Sequence, residues 1–154
     1  IAFNSYLCNI NIGDINMEIK VKEIIDAYRV LKELKVNSLS NEAAISVWKD
    51  LKVMRPICKD YDETVDEIKE SFNDETFKEN QKKAHQLYKE GKSSETLDKY
   101  FSELNEKFNK FIQDELDKTV NIELEAISEA ELIKAVASTN LSFDSMNMLE
   151  IIIK

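Results

Sequence analysis

Few side chains in this chain of 154 residues could do chemistry. There is one histidine, His85, and there are two cysteines, Cys8 and Cys58. A di-iron bundle site needs a Glu-x-x-His pair, but Gln81 and Lys82 stand one turn before His85. Zinc needs clusters of cysteine and histidine that a chain with three such residues cannot assemble. With 2 glycines, neither a GxxxxGK[ST] nor a GxGxxG phosphate loop can be built. Cys58 has the right atom for a nucleophile, but it falls on an apolar helical seam, where thiols are usually inert packing groups. Asp60, Asp62, Glu63, Asp66 and Glu67 follow it. They read as a solvated face paired with lysines rather than an acid–base site. Catalytic, cofactor-binding and metal-binding residues are therefore all expected to be absent.

Trp48, Arg55 and Tyr61 remain as candidates for contact with a partner, because tryptophan and arginine anchor interfaces more often than other residues do. The plainer alternative carries more weight: Trp48 and Tyr61 in the core, with Arg55 solvated.

The elements that must position these residues are helical. Hydrophobic residues make up 43% and charged residues 33% of the chain, with 1 proline and 2 glycines. Glycine scarcity argues against sandwiches and nucleotide-binding α/β folds, and for helices joined by short polar loops. The length suits a single domain with its own core. A formal charge of −9 repels phosphate backbones and anionic lipid, so neither nucleic acid nor a membrane surface is an expected partner. Arg29 and Arg55 are the only arginines, which limits bidentate phosphate recognition. Lysines among the carboxylates argue against a nucleic-acid mimic. Two cysteines imply no disulfide framework and fit a reduced, cytoplasmic setting. No apolar run reaches the length of a membrane span, and the first residues do not form a signal peptide.

Periodicity divides the chain further. MEIKV (17–21) alternates as a half-buried strand, and residues 22–35 place Ile24, Tyr28, Leu31 and Leu34 on one helical face. Asn37-Ser38 breaks that helix, and Ser40 is a suitable N-cap for the next. Leu51, Met54, Cys58, Tyr61, Val65, Ile68 and Phe72 then recur at alternating spacings of three and four. The seam keeps its phase through Pro56, which predicts one long helix over 41–72, bent at the proline. Two helices broken before Pro56 are the competing reading. A helix over 75–90, presenting Phe77, Ala84, Leu87 and Tyr88, should stop at Gly91. Ser94 should cap a helix bearing Leu97, Phe101, Leu104, Phe108, Phe111, Ile112 and Leu116. VNIEL (120–124) alternates again and is predicted to pair with 17–21 in a two-stranded ribbon packed on the helices. Ser128 and Glu131 read as a capping box for a helix over 128–138. A last helix from Ser142 carries Phe143, Met146, Leu149 and Ile152.

Residues 1–16 contain no Lys, Arg or Glu, and helical order follows only after Met17. Gly13-Asp14 can be encoded GGA GAT, a ribosome-binding sequence at a short spacing from an ATG at Met17. The expectation is a translated leader over 1–16 and a single helical domain over 17–154. A short N-terminal strand or arm is the alternative.

MEIK, LKELK, the long helix over 41–72, VNIELEAISEAEL and SMNMLEIII occur in that order. The arrangement resembles a group of small uncharacterised proteins of tailed phages and prophages, although Ser38 to Ala44 stands where that group has a basic cluster. The resemblance carries no known activity and implies an accessory or assembly protein in the cytoplasm of a bacterial host. The expected molecule is all-α: a helical bundle with one long bent helix and a minor two-stranded β element. It is expected to be non-enzymatic and to act through protein–protein contacts, with self-association left open. A small bacterial regulatory or inhibitor-type binding protein is the alternative.

Overall fold

The computed structural model describes residues 14–154. The chain runs β1 (Asp14–Lys20), α1 (Val21–Glu33), α2 (Asn41–Phe72), α3 (Glu75–Lys89), α4 (Glu95–Asp117), β2 (Thr119–Glu125), α5 (Glu129–Ser138) and α6 (Asp144–Met148). Short 3-10 turns occupy Val36–Ser38 and Glu150–Ile152. This is the expected mainly helical bundle with a small two-stranded antiparallel sheet. Of the expected leader over 1–16, residues 1–13 lie outside the described residues. Residues 14–16 belong to β1, where their backbone pairs with Glu123, Leu124 and Glu125.

The ribbon forms where period-two alternation predicts it. Met17 faces Ile122 and Ile19 faces Val120 across the strands. Ile19, Ile122 and Leu124 are buried, so the ribbon gains its stability by packing on the helices rather than alone. The backbone N–H of Val21 donates to the carbonyl of Lys118 at 2.8 Å, which ties the start of α1 to the end of α4.

α2 is continuous over 32 residues with Pro56 inside it, so the reading with a break before the proline does not hold. Pro56 lies on the exposed side, where water can solvate the carbonyl that it leaves unpaired. The Ser40 hydroxyl accepts from the N–H of Ala43 at 3.2 Å, as an N-cap should. Asp74 caps α3 in the same way at 2.8 Å, and Ser94 caps α4 at 3.3 Å. Gly91 takes a positive φ of 67° and ends α3. The N–H of Lys92 reaches the carbonyl of Leu87, and that of Gly91 reaches Tyr88. These bonds satisfy carbonyls that a helix end otherwise leaves open.

The core collects Ile24 and Leu31 of α1, Met54 of α2, Leu124 of β2, Leu132 of α5, and Leu149 and Ile152 near the C-terminus. From Lys59 to Asn121 no residue is fully buried. The second half of α2, with α3 and α4, is therefore an extension held by half-covered apolar contacts. Phe72 stands edge-on to Phe108 and Phe111 at 6.2 and 6.1 Å, and Phe77 to Phe101 at 6.0 Å.

Three local expectations fail. Ser128 is the N-cap of α5, but its side chain makes no capping bond. The intended partner, Glu131, instead accepts from the backbone N–H of Ser40 at 2.8 Å, so a bond across 91 residues replaces the local box. Tyr88 is 82% exposed, while Leu87, next to it on α3, is half-buried and lines the same groove as Leu97. The last helix is shorter than predicted and Phe143 is 80% exposed. There the chain turns to pair with Ile127: the N–H of Ile127 donates to Ile152 at 2.7 Å, and Lys154 donates back at 3.0 Å.

Candidate protein-binding face

An α-helix advances 100° per residue, so a helix packed along Met54 and Cys58 must turn another stripe to solvent. On α2 that stripe contains Ile45, Trp48, Lys52, Arg55, Lys59, Glu63, Asp66 and Glu70. Trp48 is 60% and Ile45 is 55% exposed. The ammonium of Lys52 lies 5.3 Å from the centre of the Trp48 ring, within range of a cation–π contact. Arg55 lies two turns beyond Trp48 on the same side and is exposed.

Of the three candidate contact residues, the structure brings Trp48 and Arg55 onto one face and places Tyr61 elsewhere. Tyr61 packs half-buried against the core. Its phenol is pushed up by burial and opposed by the nearby Arg29 guanidinium. The solvent-exposed Trp48 also departs from the plainer alternative, in which both aromatics were core.

Charge is sorted along this stripe. Between Glu42 and Asp60 the only carboxylate on α2 is Asp50, which is 1% exposed and faces inward. Lys49, Lys52, Arg55 and Lys59 are all exposed over the same stretch. After Lys59 the order reverses, with Asp60, Asp62, Glu63, Asp66, Glu67 and Glu70 all exposed. Lys59 pairs with Glu63 at 3.4 Å and Lys69 with Asp66 at 3.7 Å. Such exposed pairs on one helix are weak.

The chemistry-bearing residues do not converge. Cys58 is buried, and burial, reinforced by Asp62, pushes its thiol up to about 11, so the thiolate that would attack an electrophile is scarce at neutral pH. His85 is exposed on α3, away from Cys58 on the core side of α2. Among the described residues, no three His, Cys, Asp or Glu side chains come together as a metal site. Among them also, no helix is long and apolar enough to cross a membrane. An open groove of about 440 Å³ lies between the end of α2, the start of α3 and the middle of α4, with Phe72, Phe77, Phe101 and Phe108 in its wall.

Asp50 was not among the candidates, and it matters. Its Oδ1 accepts from the backbone N–H of Glu125 at 2.7 Å, at the end of β2. The Glu125 side chain returns to α2 and accepts from Lys49 at 2.5 Å. Hydrogen bonds from Lys49 and then Ser46 hold the Glu125 carboxyl below the usual carboxylate range. This double link fixes the helix segment that presents Trp48 against the ribbon. The only sequence cue is an aspartate at a position where the seam would put an inward-facing residue.

No family model matches this chain, and no curated protein or solved structure matches it either.

Proposed function

We propose that this protein is a non-enzymatic accessory or assembly protein of the phage or prophage kind, working in the bacterial cytoplasm through protein–protein contact. The contact face is the solvent side of α2 around Trp48 and Arg55. The observation that carries this reading is an exposed Trp48 and Ile45 on one face of α2, with Lys52 over the Trp48 ring and Arg55 exposed beyond it, in a chain of net charge −9. Removing such large apolar side chains from water against a partner is favourable. Tryptophan beside cations can also stack on single-stranded nucleic acid, but the net charge repels a phosphate chain.

Co-expression with the products of adjacent genes tests the reading. A capsid, tail or other assembly protein should co-purify with the native chain. Trp48→Ala and Arg55→Ala should each weaken that pairing at least tenfold while leaving helicity unchanged. Pairing that survives both substitutions contradicts the assigned face, and a toxin or regulator as the co-purifying protein would point to an inhibitor instead.

A further inference from the structure

The solvent stripe of α2 is sorted into a basic first half and an acidic second half, and two copies laid antiparallel would match one half against the other. We propose that this face also pairs with a second copy of the chain, the two α2 helices running antiparallel about a two-fold axis at Lys59. The proposal rests on the reading of α2 as a binding face and names its occupant.

The geometry follows from the numbering alone. In an antiparallel pair, residues whose numbers share a constant sum lie opposite one another, and a two-fold axis makes every contact occur twice. An axis at Lys59 sets Lys52 opposite Asp66 and Arg55 opposite Glu63, all four on the stripe. The same register sets Trp48 opposite Glu70 at the end of the stripe, and Lys59 lies on the axis against its own copy. All of these residues except Trp48 carry charges exposed in the single chain. A parallel pair would instead stack lysine on lysine and glutamate on glutamate, which is repulsive along the whole stripe. Single exposed ion pairs contribute little, but a repeated set in fixed register selects orientation and partner. Such a dimer should be weak and salt-sensitive, because its charges sit at a wet surface.

Sedimentation equilibrium of the full chain tests this. At low salt the native protein should show a concentration-dependent monomer–dimer equilibrium that shifts toward monomer in 0.5 M salt. Lys52→Glu or Asp66→Lys alone should weaken the dimer at least tenfold, since each creates two like-charge contacts. Both changes in one chain should restore it, because the swapped pair is again complementary. Circular dichroism checks that each variant remains folded. A chain monomeric at all concentrations in low salt overturns the proposal. So does a dimer unmoved by either single change, or a double variant no better than the singles. If the proposal fails in one of these ways while Trp48→Ala still abolishes co-purification with a different protein, α2 remains a binding face and only the second copy is excluded. If Trp48→Ala changes neither, both readings fall.

Discussion

Asp50→Ala is the most informative single change to the fold. It removes a carboxylate that accepts from the backbone N–H of Glu125 at 2.7 Å and is 1% exposed. Hydrogen bonds to charged groups contribute about 1.5–3 kcal/mol, and a donor left without its partner in a half-buried site loses its solvation as well. The truncated side chain also leaves a small void. Together these give a loss of about 2–4 kcal/mol. At 2–4 °C per kcal/mol for a chain of this size, the melting temperature should fall by roughly 5–15 °C. Asp50→Asn keeps an oxygen acceptor of nearly the same shape and should lose less than half as much. Urea unfolding followed by circular dichroism gives the free energies, and amide exchange at Glu125 gives the local effect. If Asp50→Ala costs under about 1 kcal/mol, or if the asparagine is as harmful as the alanine, the link between α2 and the end of β2 is not the source of the stability assigned to it.

The continuous α2 predicts that amides from Lys59 onward exchange slowly, with the gap confined to the region of Pro56. Fast exchange across residues 52–59 would show two helices instead. Glu131→Ala should cost about 1 kcal/mol by leaving the Ser40 N–H unpaired, and Glu131→Gln should recover part of it; equal unfolding midpoints for alanine and native would refute the cross-chain cap. Acid should destabilise the protein through Glu125. Its folded pKa is depressed, so its contribution is present above the unfolded value near 4.3 and is lost as pH falls through the lower folded value; Glu125→Gln should flatten that part of the stability profile. Alkali acts through Cys58, raised to about 11: the thiol is neutral in both states below about 8.5, and between these values the unfolded chain ionises first, so stability falls. Cys58→Ala should remove that decline, and an unchanged alkaline profile would contradict the burial of the thiol.

What could be read from the residues was what local periodicity encodes. The α2 seam kept its phase across Pro56, and a proline on the exposed side of a helix need not break it. The two strands alternate cleanly, and their pairing followed because the chain has no third strand-like segment after Met17. Ser40 and Ser94 cap their helices because an N-cap bond spans only three residues. Bonds between distant segments left no such trace. Glu131 looks like half of a capping box beside Ser128 but serves Ser40 on another helix. Asp50 falls on the inward side of the seam, but the backbone N–H that it meets belongs to Glu125, 75 residues away, and nothing local names that partner. Exposure was the other gap: an aromatic at helical spacing is more often core, and only the packed structure shows Trp48 facing water. The charge sorting of α2 was present in the sequence, but it acquires meaning only when the core face is known and the remaining stripe can be traced.

Because Trp48 is the only tryptophan, its fluorescence reports on the assigned face without labelling. The most direct measurement is quenching of that fluorescence by iodide, taken first in dilute monomer and then in the complex. Light scattering on the same samples would confirm that the complex has formed. The account predicts strong quenching in the monomer, and a blue-shifted emission with markedly reduced quenching once the partner is bound. A fully formed complex in which Trp48 remains as red-shifted and as accessible to iodide as in the monomer would contradict it.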